Sequence, residues 1–175
     1  MKPMIPRMLL VLLALLLAGS AFLPYMKVEP KDHFSYHASD HDMMKKLISE
    51  GYFDETVSLW EFGDNIINHG EAEEHIAGYV YFYPFVFVLI LLLMGIFGFA
   101  TPAVIFSALL AGIHWVLGHE AEVVSADRHV QYTMQPQFAH YGILVIAACA
   151  FVCGIWLFFA KRRVKKAGKA QPAAA

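Results

Sequence analysis

Long apolar runs alternate with polar segments along this chain. Four runs stand out: Met8–Met26, Tyr79–Phe99, Pro102–Gly118 and Ala139–Ala160. A helix needs about 20 apolar residues to cross a hydrocarbon core of about 30 Å, and each run meets or approaches this length. None of the runs contains Asp, Glu, Lys or Arg. The pattern predicts an all-α integral membrane protein, a four-helix transmembrane bundle with a small helical extracytoplasmic cap.

The apolar runs divide the chain into six segments. They are an N-terminal signal anchor with the first span (1–26), an acidic, histidine-containing periplasmic segment (27–78), a hairpin of the second and third spans (79–118), a periplasmic loop (119–138), the fourth span (139–160) and a basic cytoplasmic tail (161–175). Only Ala100 and Thr101 separate the second and third runs, so these spans are predicted to be antiparallel neighbours. We expect Thr101 to cap a helix that begins at Pro102, because proline needs no N–H partner there.

The distribution of charge predicts the orientation of the spans. All 15 Asp and Glu residues lie within Glu29–Asp127. The two ends, Met1–Arg7 and Lys161–Ala175, carry eight Lys and Arg residues and no acid. Cytoplasmic flanks of membrane spans hold an excess of Lys and Arg. Both termini are therefore predicted to be cytoplasmic, with the acidic segments on the outer side of the membrane.

The first apolar run allows two interpretations. Lys2, Arg7 and the apolar stretch Met8–Ala18 have the order of a secretory signal peptide, and Gly19–Ala21 offers a small-residue cleavage site. The apolar stretch nevertheless continues to Met26. This continuation favours an uncleaved anchor over a cleaved signal peptide.

The first periplasmic segment contains signals for short amphipathic helices. One helix is predicted to follow Asp40, and Ser58–Glu61 is a capping box that would open a second helix. These two helices would form the cap. The aromatic residues that suit the outer membrane interface are Trp60, Tyr79, Tyr81 and Tyr83.

Small residues recur four apart in the third and fourth runs, a spacing that lets helix backbones approach closely. The pairs are Ser107 with Ala111, Ala108 with Gly112, and Ala150 with Gly154. They either close the four-helix bundle or form a docking face for another membrane subunit.

Nine histidines provide candidate ligands for a metal or a haem. His33, His37 and His41 are spaced i, i+4, i+8, so a continuous helix would align them for Zn²⁺ or Cu²⁺. The alternative is a solvated polar loop.

A second histidine group lies at the outer ends of the spans. His114 is near the end of the third run and His140 begins the fourth, so these two could ligate a b-type haem from separate helices. Together with His75, His119 and His129 they could instead hold copper or zinc. Histidines hydrogen-bonded to loop carbonyls, or a charge that responds to external pH, are the other interpretations.

The sequence argues against several activities. It contains no HExxH, GxSxG or phosphate-cradling glycine motif, so an enzyme is not favoured. Spans without charged residues argue against an active transporter or a selective channel in a single chain, although a pore could form by homo-oligomerisation. The basic tail abuts a span and is expected to contact anionic membrane lipids rather than nucleic acid.

Two short motifs resemble those of a known family. Leu23–Met26 at the end of the first run and Leu59–Gly63 ahead of the second resemble the paraquat-inducible A family of four-span bacterial membrane proteins. The resemblance implies a partner of periplasmic lipid-transport proteins. This chain lacks the zinc-ribbon cysteines of that family and has a longer, histidine-bearing first outer segment. Its layout is also similar to that of claudin-like proteins, without their loop cysteine pair.

These observations favour a non-catalytic protein. We expect an accessory, scaffold or partner-binding subunit of a bacterial inner-membrane assembly, with envelope lipid transport as its pathway. Its partners would be membrane lipids and a membrane or periplasmic protein. One alternative is a haem b or copper/zinc protein with a redox or metal-handling role, and another is an immunity protein against a pore-forming toxin.

Overall fold

The computed structural model describes residues 4–30, 56–61, 63–64, 79–127 and 132–169. These residues are mostly helical. The elements in chain order are α1 (Met4–Ser20), β1 (Pro24–Pro30), β2 (Thr56–Ser58), α2 (Tyr83–Phe97), α3 (Ala100–Asp127), β3 (Tyr132–Pro136) and α4 (Phe138–Lys169). The chain forms two compact units. Unit 1 comprises Met1–Ala18, Pro84–Gly112 and Leu144–Ala175, and unit 2 comprises Gly19–Tyr83 and Ile113–Ile143.

Among the described residues, two helices are long and apolar enough to cross a membrane. The qualifying stretches are Ala100–Leu117 of α3 and Phe138–Lys166 of α4. Helices α1 and α2 are also apolar but shorter, with 17 and 15 residues. Both α3 and α4 extend beyond the predicted spans, α3 past Gly118 to Asp127 and α4 through the basic residues to Lys169.

Unit 1 contains parts of α1, α2, α3 and α4. In α1, Leu10, Ala14 and Leu17 are fully buried, and their spacing places them on one helix face. The backbone of α1 approaches α2 at Gly95, where a Cβ atom would lie 2.7 Å from Cγ2 of Val11. Helices α1 and α2 therefore approach closely at a glycine that lies outside the three predicted small-residue pairs.

The link between α2 and α3 consists of Gly98 and Phe99. Gly98 has φ = 70°, the left-handed conformation that favours glycine. The Phe99 N–H donates to the Met94 carbonyl oxygen at 3.1 Å, which is the long hydrogen bond of a Schellman motif. Arg7 of α1 donates to the carbonyl oxygens of Gly95 (3.0 Å) and Ile96 at the same helix end.

The predicted cap of α3 at Thr101 is wrong. The helix begins at Ala100, and the Phe99 carbonyl oxygen accepts the Ala103 N–H at 3.3 Å. Thr101 and Pro102 therefore lie inside the first turn. The positive φ of Gly98 ends α2 early enough for α3 to start two residues before the predicted position.

Unit 2 contains an antiparallel sheet that the all-helical prediction did not include. The strand order is β2-β1-β3, with β1 in the centre. Strand β1 pairs with β3 from Met26↔Pro136 to Pro30↔Tyr132. The predicted first span, which ran to Met26, ends as a helix at Ser20. The turn hydrogen bonds from Phe22 N–H to Gly19 O and from Leu23 N–H to Ser20 O lead directly into β1.

The predicted capping box after β2 is confirmed. The Ser58 N–H donates to Oε2 of Glu61 at 2.8 Å, and the Glu61 N–H donates to Oγ of Ser58 at 3.2 Å. This reciprocal pair opens the helical residues 59–61. The other predicted cap helix, after Asp40, lies outside the described residues.

Candidate functional site

Four aromatic side chains form a buried cluster in unit 2. Tyr25 comes from β1, Tyr83 from α2, His114 from α3 and His140 from α4. Tyr25 and His114 are fully buried, and His140 and Tyr83 expose only 7% and 8% of their surfaces. We call these four residues the His–Tyr cluster. Among the described residues of unit 2, these four are the buried tyrosines and histidines.

A β-bulge aims Tyr25 into the cluster. Pro24 pairs with Ser58 and Met26 pairs with Val57, so Tyr25 is an extra residue in β1. Side chains normally alternate between the two faces of a strand, but Tyr25 and Met26 are neighbours and both fully buried. The bulge explains this exception, because an extra residue re-aims the side chain beside it. The Tyr25 carbonyl oxygen also accepts the Gln137 N–H at 2.8 Å, just before α4.

His114 connects two partners through its two ring nitrogens. Its Nε2 lies 2.9 Å from the backbone carbonyl oxygen of His140, and its Nδ1 lies against the hydroxyl of Tyr83. A carbonyl oxygen only accepts, so Nε2 carries a proton. In the neutral imidazole Nδ1 then accepts the Tyr83 O–H. The result is a directed series of hydrogen bonds from α2 through α3 to α4.

Ring packing completes the His–Tyr cluster. The His114 and His140 ring centroids are 4.6 Å apart, with the planes inclined by 37°. The Tyr25 ring lies 5.7 Å from His114 and 5.6 Å from His140. These separations lie within the range in which aromatic rings attract one another. The cluster therefore combines ring packing with hydrogen bonds in a buried setting, where an unmade hydrogen bond is costly.

The structure brings together two of the predicted histidine ligands, His114 and His140. The backbone of His119 belongs to α3, but its side chain lies outside the described part of the structure. The remaining predicted ligands fall outside the described residues: His33, His37, His41, His75 and His129.

The described residues include no group of three or more His, Cys, Asp or Glu side chains placed to hold a metal ion. Metal or haem ligation by His114 would require a nitrogen that now contacts Tyr83 or the His140 carbonyl oxygen. Binding of haem, copper or zinc by these histidines stays a prediction.

Sequence reasoning missed the two tyrosines of the cluster. Tyr79, Tyr81 and Tyr83 were all predicted to suit the interface, yet Tyr79 is 63% exposed and Tyr83 is buried. The available signal was Pro84, because proline favours the first turn of a helix and so marks Tyr83 as the residue at its start. Tyr25 had no such signal, since its position depends on the bulge.

Trp60 marks a second aromatic group in unit 2. Its ring stacks on Phe22 at 5.6 Å between centroids and meets Phe82 edge-on at 4.9 Å. The Trp60 backbone N–H donates to the Ala21 carbonyl oxygen at 3.1 Å. The Trp60 side chain remains 42% exposed. Part of the Leu59–Gly63 motif is therefore explained by packing against the residues that follow α1.

Comparisons with protein-family models, curated proteins and solved structures find no match to this chain. The resemblance to the paraquat-inducible A family remains an expectation from the two short motifs.

Proposed function

We propose that this chain is a non-catalytic, multi-span subunit of a bacterial inner-membrane assembly, which binds a second membrane protein through α3. The observation that carries the proposal is an outward-facing pair of small residues on that helix. Ala108 and Gly112 are both exposed, and a Cβ atom added to Gly112 would meet nothing within 4 Å. Such spacing lets another helix approach closely.

The other small residues differ from Ala108 and Gly112 because they are in contact with neighbouring helices. Ser107 and Ala150 are buried, and a Cβ atom on Gly154 would lie 2.9 Å from Cγ2 of Val104. These residues are used for contacts within unit 1, whereas Ala108 and Gly112 are left open. Of the two predicted roles for the small residues, we assign bundle closure to Ser107, Ala150 and Gly154, and we propose the docking face for Ala108 and Gly112.

The exposed surface of unit 1 supports a membrane location. Large apolar side chains are exposed along each of its helices. Examples are Leu15 of α1, Leu89 of α2, Ile105 of α3 and Val152 of α4, which are 53–62% exposed. Exposed apolar surface on this scale marks contact with lipid or with a partner. A four-span bundle with cytoplasmic termini agrees with this surface and with the charge distribution.

The packing of α1 supports an uncleaved first span. Leu10, Ala14 and Leu17 are fully buried, and Arg7 binds the end of α2. Cleavage after Ala21 would remove these contacts from unit 1. The chain would then lose one helix of the proposed bundle.

The proposed partner is a membrane or periplasmic protein, with envelope lipid transport as the pathway that the motif resemblance implies. Affinity purification from native membranes tests this proposal. We expect wild-type protein to retain a fixed partner, and we expect a variant with Ala108→Leu and Gly112→Leu to lose it. Two leucines would fill the space that the partner helix needs.

The control is Ala148→Leu, which adds the same bulk as Ala108→Leu alone, at an exposed position of α4. It should retain the partner, and all variants should reach similar levels in the membrane. Recovery of the partner with the double variant at the wild-type level would overturn the assignment to α3. A preparation that contains only this chain, with or without bound haem, would overturn the subunit function itself.

A further inference from the structure

The end of α4 carries a dense group of cations beside the start of α3. Lys161, Arg162, Arg163, Lys165 and Lys166 are all exposed. A pocket of about 330 Å³ lies between the two helices. Its lining residues are Phe99, Ala100, Thr101, Pro102, Phe158, Lys161, Arg162 and Lys165. This volume falls within the range of about 300–1,000 Å³ that is usual for ligand sites.

No carboxylate side chain of unit 1 can neutralise these cations. The sequence ranges that make up unit 1 contain eight Lys and Arg residues and no Asp or Glu. Of these eight, Arg7 is engaged by carbonyl oxygens at the end of α2. The side chains of unit 1 therefore provide no negative charge to balance the cations at the end of α4.

Arg162 is held in a defined position within this group. Its Cζ atom lies 4.3 Å from the centroid of the Phe158 ring, a cation–π contact. Stacking on a ring leaves the N–H edges of a guanidinium open, and these edges match two phosphate oxygens at once. Lys165 lies one turn further along the same helix and lines the same pocket.

We propose that this pocket binds the phosphate of an anionic phospholipid headgroup, with Arg162 and Lys165 as its main contacts. Phe99 and Phe158 supply an apolar wall to the same pocket. That wall suits a headgroup with attached acyl chains better than a free, fully hydrated phosphate. The site also continues directly from the apolar stretch of α4 that is long enough to cross a membrane.

Binding of a soluble short-chain phosphatidylglycerol to the full-length protein in a non-ionic detergent tests the site. Wild-type protein should bind it more tightly than short-chain phosphatidylcholine. The variant with Arg162→Gln and Lys165→Gln should bind phosphatidylglycerol about 30-fold more weakly, at about fivefold for each cation removed. Arg162→Lys keeps the charge but not the planar fork, so its loss should be smaller than that of Arg162→Gln.

The control variant carries Arg163→Gln and Lys166→Gln. It removes the same charge from the same helix, but neither residue lines this pocket. Both line a neighbouring pocket of about 440 Å³, which Arg162 and Lys165 also line. It should lose no more than about fivefold in affinity. Unchanged thermal unfolding and unchanged orientation in the membrane confirm that both double variants are folded.

Two results would overturn the proposal. Equal losses in the two double variants would show diffuse attraction to the whole basic segment. Competition by inorganic phosphate at concentrations similar to those of phosphatidylglycerol would assign the pocket to a soluble anion. Neither result depends on whether α3 binds a partner protein.

Discussion

At the scale of single residues, His114 determines how the His–Tyr cluster is held together. Both of its ring nitrogens contact a named partner, and the side chain is fully buried. The partners lie on α2 and α4, so one side chain joins three helices within unit 2. Removing either hydrogen bond would leave a buried polar atom of His114 without the group that it now contacts.

We expect Tyr83→Phe to destabilise the protein by about 1–3 kcal/mol, because the buried Nδ1 atom of His114 loses its hydroxyl donor. Tyr79→Phe is the matched control, since Tyr79 is 63% exposed and surface substitutions change stability by about 0.5 kcal/mol or less. The measurement is unfolding of both variants in detergent. Equal midpoints for Tyr83→Phe and wild type would contradict the hydrogen-bond arrangement.

The sequence predicted part of the His–Tyr cluster. His114 and His140 lie at neighbouring ends of two apolar runs, so their approach follows from the hydrophobic pattern alone. Tyr25 could not be placed in this way, because a bulge shifts its side chain by one position relative to the strand partners. The spacing of apolar residues in the sequence does not reveal a one-residue change of register.

At the scale of elements, the close approach of α3 and α4 depends on Gly154. A Cβ atom there would lie 2.9 Å from Cγ2 of Val104, and 3.0 Å from the Val104 backbone nitrogen. The side chain could move, but the backbone nitrogen can move only with α3. The packing of these two helices is therefore set by the absence of a side chain at one position.

Gly154→Ala should destabilise the protein by about 1–3 kcal/mol through overpacking. The control is Gly142→Ala on the same helix, where an added Cβ atom would meet nothing within 4 Å. There the better helix propensity of alanine should leave stability unchanged or raise it by about 1 kcal/mol. Unfolding midpoints that rise for both variants would show that α3 and α4 do not pack through Gly154.

Elements that depend on residues close in sequence were predicted better than elements that depend on long-range pairing. The capping box at Ser58 and Glu61 uses residues three apart, and it was found from the sequence. The sheet pairs β1 with β3, which lies more than a hundred residues later in the chain. Strand β1 also continues an apolar run, so composition alone did not distinguish it from the end of the first helix.

At the scale of the whole molecule, the proposed four-span topology makes a direct prediction. In a variant with Cys149 and Cys153 replaced by alanine, a cysteine introduced as Asp64→Cys should react with a membrane-impermeant maleimide in spheroplasts. A cysteine introduced as Lys166→Cys should react only after lysis. Both positions are exposed, so burial does not limit the reaction.

Reaction of Lys166→Cys in intact spheroplasts would contradict a cytoplasmic C-terminus. If neither cysteine reacts before lysis, the result would contradict the periplasmic placement of the segment that follows the first span. The full number of spans was predicted from four apolar runs, of which two form helices long enough to qualify individually.

Arg7 has a consequence for how the hairpin of α2 and α3 is oriented. The connecting residues Gly98 and Phe99 carry no charge, so the hairpin has no topological signal of its own. The fold nevertheless holds the Arg7 guanidinium against the last carbonyl oxygens of α2. In the proposed topology, Arg7 of the first span therefore places a positive charge at the uncharged end of a hairpin that is synthesised some ninety residues later. Both segments together would then keep this end of the hairpin in the cytoplasm.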